Sequence, residues 1–216
     1  MKAKLNLPAS DPIDRGRRAR RQAETRERIF RCAVQLFAER GFFHTTVEDI
    51  TQAADVGKGT FFNYFPSKEH VLGVLLQIQL SKVAEAVADA SAQRSNIHEI
   101  LHRLFLRVAE EPGRSRKVVR GLLPALLGSA PVRRLLLRGL LQGRKTLAGL
   151  IQTGQERGEI RRDRLPEEMA LAFQQALFGT LVIWGMEDSG PLPPRLETTF
   201  AHYWNNISGS PERQSL

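Results

Sequence analysis

The chain has 216 residues, 42% of them apolar and 25% charged, a composition that belongs to globular proteins and excludes a disordered or fibrous one. Lysine and arginine number 32 against 23 acidic residues, a formal charge of +9, which points to a polyanionic partner. The single cysteine, Cys32, excludes an internal disulfide; it reads as a small buried hydrophobe in a reducing compartment.

Residues 1–23 carry Pro8, Pro12 and Gly16 and the basic cluster Arg15, Arg17, Arg18, Arg20 and Arg21, without apolar periodicity. They read as a basic N-terminal arm. No apolar h-region accompanies these charges, so no secretory signal is expected, and apolar runs such as 176–186 read as too short to span a bilayer. The expected location is the cytoplasm, with no membrane partner.

From residue 25, Ile29, Ala33, Leu36 and Phe37 recur at helical spacing, and Gly41 supplies a stop. Thr46 and Asp49 then form a Thr-x-x-Asp start for a second, short helix, in which each side chain can satisfy an orphan backbone N–H of the other residue. Asp55, Val56 and Gly57 interrupt the pattern, a third helix follows over 58–65 with Phe61 and Phe65 on one face, and Pro66 ends it. Ser67 can cap the fourth helix, although His70 stands where a capping box needs an acid. This fourth helix is expected to reach about residue 91.

Further helices are expected over 97–110, 114–127 (kinked at Pro124), 132–157, 166–186 and 194–207. No stretch alternates with period two over a strand's length, so the predicted class is all-α.

Helix, three-residue turn and helix over 46–65, stacked on the helix before them, outline a helix-turn-helix unit. The third helix, 58–65, has glycine before and within its first turn, which costs helix stability by about 1 kcal/mol for each glycine that is helical. Close approach to a phosphate or a base edge would offset that cost. Lys58 and Lys68 can neutralise phosphates, and Thr60, Asn63 and Tyr64 are hydrogen-bonding groups sized for a major groove. Phe61 and Phe65 belong to the core; Phe62 and Tyr64 cannot both share that face, so at least one aromatic is expected at the surface.

The stretch from Gly41-Phe42-Phe43-His44-Thr45-Thr46-Val47-Glu48-Asp49-Ile50 through Ala53-Ala54-Asp55-Val56-Gly57-Lys58-Gly59-Thr60-Phe61-Phe62-Asn63-Tyr64-Phe65-Pro66-Ser67-Lys68-Glu69 closely resembles the DNA-binding domain of the tetracycline-repressor (TetR) family of bacterial transcriptional regulators. The resemblance covers about residues 25–72. A weaker likeness continues through Gly158-Glu159-Ile160-Arg161 and the helix start at Pro166-Glu167-Glu168. It implies an N-terminal three-helix DNA-binding domain over 24–70, a helical effector-binding and dimerisation domain over 71–207, and a tail over 208–216. It also implies a homodimer that sets the third helix of each subunit in a major groove of double-stranded DNA. Carried over by position, Lys58, Gly59, Thr60, Phe62 and Tyr64 fall where the family meets bases and backbone, and Thr46 and Lys68 where it meets phosphate. The position of Phe62 is commonly tyrosine in the family, so a hydroxyl contact there is replaced by van der Waals contact. On this reading Tyr64→Ala and Lys68→Ala would weaken DNA binding without unfolding the protein.

The helix over 166–186 is apolar on nearly all sides, as a helix buried on both sides would be. Phe173, Leu177 and Leu181, with Leu196, Phe200 and Tyr203 of the last helix, are the expected dimer interface, in line with the resemblance. Leu101, Phe105, Leu123, Leu127 and Leu147 are the expected lining of a pocket for a small-molecule effector of unknown identity. Residues 103–145 hold 11 basic groups against 2 acidic, and Arg116, Lys117, Arg120, Arg133, Arg134 and Arg138 read as solvated helix faces rather than an anion site. His98-Glu99-Ile100-Leu101-His102 matches a zinc-hydrolase signature, but its histidines flank an apolar stripe and no third ligand follows at the expected offset. A chance match is the expectation, and neither a metal, a cofactor nor catalysis is predicted. The expected function is a repressor that binds a palindromic operator and is released by its effector; the alternative is a DNA-binding protein of the same fold that needs none.

Overall fold

The computed structural model describes residues 12–92 and 95–209, with side chains from Ala19 onward. Helix α1 (Pro12–Arg40) corrects the expected arm: residues 12–23 are helical, and residues 1–11 lie outside the described residues. Pro12 suits a first helical turn, where its missing N–H has no partner to lose. The Arg-, Ala- and Glu-rich run that follows has the propensity to absorb Gly16, and the pairs Arg20–Glu24 and Glu27–Arg31 support it one turn apart. Gly41, at φ +84°, ends the helix in a left-handed conformation.

Helices α2 (Val47–Ala53) and α3 (Lys58–Tyr64) lie close to the expected bounds. The turn between them places Asp55 at φ +49° and is closed by Val56 N–H donating to the Thr51 carbonyl at 3.0 Å. Helices α4 (Lys68–Ser91), α5 (Ile97–Ala109), α6 (Arg116–Gly128, with Pro124 inside it), α7 (Ala130–Glu156), α8 (Pro166–Met186) and α9 (Leu192–Ile207) complete the chain, with a 3-10 turn at Pro112–Arg114. Among the described residues the only extended pairing is an isolated bridge between Ile160 and Ser208, which pins the end of α9 to the turn after α7. Of the expected tail, residues 210–216 lie outside the described residues.

Two apolar clusters organise the fold. The first gathers Ile29, Ala33 and Phe37 of α1, Ile50 of α2, Phe61 and Phe65 around α3, Val71 and Leu72 of α4, and Val118, Leu122 and Ala125 of α6. The second joins α5, α7, α8 and α9 around Ile100, Phe105, Leu147, Phe173 and Phe200. Helix α6 stands between them. A Cβ on its Gly121 would lie 2.0 Å from the Phe37 carbonyl oxygen, and one on Gly185 of α8 would lie 2.5 Å from Val119 of α6. The helix is seated by glycine-sized gaps against α1 on one side and α8 on the other.

This packing corrects several expectations. Phe173, Leu177, Leu181, Leu196, Phe200 and Tyr203 are all buried within one protomer. They pack within the chain's own core, with Phe173, Leu177 and Leu181 also lining a cavity between α4, α6, α7 and α8, and are therefore unavailable to a partner. Trp184 is core as well. Helices α4 and α8 are long and apolar enough to cross a bilayer by length and composition, unlike the short run considered above, yet both pack within the bundle. Arg116 and Arg120 do more than solvate a helix face: Arg120 is exposed, but the two donate to the carbonyls of Trp184 and Gly185, at 3.1 and 2.6 Å respectively, and to carbonyls just beyond, satisfying the end of α8. Cys32 is only half-buried.

Candidate nucleic-acid interface

The helix-turn-helix unit is held from below and open above. Phe61 and Phe65 anchor α3 in the first core, Tyr64 packs partly against it, and Phe62 is left 52% exposed. Lys58, Gly59 and Asn63 are exposed beside Phe62, and Thr60 is half-buried. These side chains share one outward surface because α3 has only two turns and gives its inner positions to the core. No atom lies within 4 Å of a Cβ built on Gly57 or Gly59, so the start of α3 is bare backbone that another molecule can approach closely.

The start of α2 is a complete capping box. Thr46 N–H donates to Asp49 Oδ2 at 2.8 Å, Asp49 N–H donates to Thr46 Oγ1 at 3.1 Å, and the Thr46 hydroxyl donates to Asp49 Oδ2 at 2.7 Å. These bonds, from the Thr46 backbone first and its side chain second, hold the Asp49 carboxyl below its usual range. The Thr46 hydroxyl proton is thereby spent inside the protein. Lys58 pairs with Glu48 across the turn, and the Lys58 hydrogen bond keeps the Glu48 carboxyl ionised to lower pH than an isolated glutamate. Both ends of that pair are more than half exposed, so an approaching polyanion can take the lysine at little cost.

Lys68 is placed differently from its expected role. Its ammonium donates to the carbonyls of Phe42 at 2.9 Å and Thr45 at 2.8 Å and lies 4.5 Å from the centre of the Phe42 ring. It braces the loop before α2 and keeps one N–H to spare. Ser67 makes no capping bond to the backbone of α4; its hydroxyl meets Glu69 and, at 3.0 Å, His70 Nδ1. Of the residues the sequence picks for DNA, then, Lys58, Gly59, Thr60, Phe62, Asn63 and Tyr64 come together on α3, and Thr46 and Lys68 frame them.

The second candidate region is a cavity of about 230 Å³ between α4, α6, α7 and α8. Leu123 and Leu147 line it as expected. Leu101 and Phe105 do not, because they face the core under α9, and Leu127 is 71% exposed at the end of α6. Sequence reasoning missed Gln79 and Gln174 in the wall; an amide amid Leu75, Leu76, Ile78 and Leu80 was the available signal.

The His98–His102 pair stacks on α5 with ring centres 6.1 Å apart, and His102 Nε2 lies 2.7 Å from Glu197 Oε2 of α9. Among the described residues no three potential metal ligands cluster.

Comparison with known proteins agrees with this architecture. Residues 29–75 match the model of the family described as bacterial regulatory proteins, tetR family. The HTH-type transcriptional repressor DhaR of Mycobacterium sp. (strain GP1) is 32% identical over 148 residues, which span 67% of this chain and 74% of the relative. A TetR-family regulator from Syntrophomonas wolfei str. Goettingen shares the fold with a TM-score of 0.71 at 20% identity, over 84% of this chain and 93% of that one. The TetR-family repressor FadR of Thermus thermophilus, solved in complex with lauroyl-CoA, superposes with a TM-score of 0.59 at 30% identity, over 82% of this chain and 92% of that one. An outward two-turn helix seated on two others, an all-helical second region, and a relative of this length and identity lead to one conclusion: the chain belongs to the TetR family of bacterial regulators, which are DNA-binding transcription factors and not enzymes.

Proposed function

We propose that the protein is a repressor that binds a palindromic operator as a homodimer and lets go when a small molecule fills the cavity between α4, α6, α7 and α8. The observation that carries the DNA part is the uncovered outer surface of α3. Lys58, Gly59, Thr60, Phe62, Asn63 and Tyr64 meet the major groove, Lys68 offers its remaining N–H to a phosphate, and Thr46 acts by fixing the start of α2. DhaR is named as a repressor and FadR was solved with a bound small molecule, which supports repression and effector release. The cavity favours this reading over an effector-independent regulator. DNA as the partner puts the protein in the bacterial cytoplasm.

Selection of bound fragments from random DNA tests the proposal: enrichment of an inverted repeat with half-sites about one helical turn apart is expected, and no enriched sequence overturns it. Affinity for the selected site should drop by roughly a thousandfold between 50 and 200 mM salt; a flat response would mean that phosphates are not bound.

The dimer is expected to use the outward faces of α8 and α9 in place of the buried residues corrected above. Ile183 and Met186, one turn apart on α8, are 55% and 68% exposed, an apolar patch of the kind an interface covers. Ile183→Glu should shift the protein from two subunits to one in light-scattering chromatography and lower operator affinity by more than tenfold. A dimer that survives this change would place the interface elsewhere.

A further inference from the structure

The cavity wall carries information about its ligand. At about 230 Å³ it exceeds the roughly 150 Å³ apolar cavity known to take benzene, so a ring with a short chain fits. Among the described lining residues only Gln79 and Gln174 have polar side chains. Gln174 is engaged at both ends: its Nε2 donates to the Leu140 carbonyl at 2.9 Å and its Oε1 accepts from Arg144 at 3.1 Å. Gln79 is half engaged. Its Nε2 donates to Glu111 Oε2 at 2.9 Å, while its Oε1 is buried and has no partner among the described residues.

The orientation of that amide is not free to reverse. Burial pushes the Glu111 carboxyl up, but hydrogen bonds from Lys82 and Gln79 outweigh it and hold the group below its usual range. An ionised carboxylate can only accept, so the amide nitrogen must face Glu111 and the oxygen must face away. Lys82 is buried and fully committed, with its ammonium 2.6 Å from Glu111 Oε2, 3.2 Å from Glu110 Oε2 and on the Arg107 carbonyl. Among the described residues the wall therefore holds one buried acceptor without a partner, Gln79 Oε1, and no free cation.

We propose that the effector is a small uncharged apolar molecule with a single hydroxyl or N–H group, which donates to Gln79 Oε1. The assignment rests on the cavity being the effector site. A ligand with acceptors only, such as an ether or ester, leaves the buried glutamine oxygen unpaired. A carboxylate or phosphate would lose its hydration with nothing in the wall to replace it.

The test uses the full chain and three probes that share a butylphenyl body: 4-butylphenol, 4-butylanisole and 4-butylbenzoate, with binding followed by calorimetry. The phenol should bind at least tenfold more tightly than the methyl ether, and the benzoate should not bind measurably. In Gln79→Met the ratio of phenol to ether should fall to about one, with the ether's own affinity retained; Gln79→Leu, with folding checked by circular dichroism, should give the same result. An ether as tight as the phenol, a benzoate that binds best, no binding by any probe, or a ratio that survives both glutamine variants would each overturn the proposal. The wild-type series decides even if neither variant folds. Operator affinity is measured separately with the phenol bound: a bound phenol that leaves DNA affinity unchanged would sink effector release and leave the ligand assignment standing.

Discussion

Asn63→Ala should weaken binding to the selected operator by about a hundredfold while leaving the melting temperature nearly unchanged. A side chain that reads a base edge contributes about 1–3 kcal/mol of discrimination. A homodimer uses it twice, so about 1.4 kcal/mol at each half-site compounds to a factor of about one hundred. The thermal neutrality follows from exposure: Asn63 stands at the surface of α3, where substitutions usually cost within about 0.5 kcal/mol. Phe62→Ala should act alike, because Phe62 is 52% exposed and meets the Phe61 ring edge-on. Phe62→Tyr, which restores the hydroxyl common in the family, should tighten binding if a phosphate lies there. Lys68→Ala would be a poor probe: it frees the Phe42 and Thr45 carbonyls and so mixes a folding defect into any loss of affinity. Titration of gel shifts at fixed salt, beside thermal melts, separates the two. Unchanged affinity in both Asn63→Ala and Phe62→Ala would refute α3 as the reading element.

Gly121→Ala should be the most damaging single-methyl change in the described structure outside the reading surface. The new Cβ would meet backbone only, 2.0 Å from the Phe37 oxygen, 2.8 Å from its carbon and 3.0 Å from the Ala38 Cα. No rotamer can relieve that overlap, so α6 must move off α1, at a cost of about 2 kcal/mol or more. For a chain of this length that lowers the melting temperature by about 4–8 °C. The same shift strains the Phe42 N–H bond to the Gly121 carbonyl, 3.2 Å long in the intact protein. Because Val118, Val119, Leu122 and Leu123 of α6 also line the cavity, displacement should weaken the coupling between cavity occupancy and DNA release. The control is Gly149→Ala on α7, which has no atom within 4 Å of the added methyl and should gain up to about 1 kcal/mol from helix propensity. Equal melting temperatures for the two variants would show that α6 is not seated as described.

The contrast between these two glycines illustrates what can be read without coordinates. Both lie in helical sequence and nothing local tells them apart. By contrast, the capping box at Thr46 and Asp49, the stop at Gly41 and the bounds of α8 all depend on residues within a few positions of one another, and were legible. The corrections concern longer range. Leu181, Leu196 and Phe200 are plainly apolar and helical in the sequence, yet periodicity cannot say whether an apolar face meets its own protomer or a second copy. Charge alone marks Lys68 and Arg120 as groups for phosphate or solvent, whereas their place in the fold gives them carbonyl oxygens distant in sequence.

What the sequence by itself determined is the all-helical class, the order of the helices and the helix-turn-helix outline over 46–65, since each rests on local hydrogen bonding and on period-3.6 burial that neighbours in the chain specify. Only the tertiary structure decided which apolar faces are spent inside one subunit, that α6 is wedged between α1 and α8, and that a lone glutamine oxygen is left unpaired in an apolar wall. Those outcomes depend on how separate helices fill space together, and close packing at ångström tolerance is not encoded in the periodicity of any one of them.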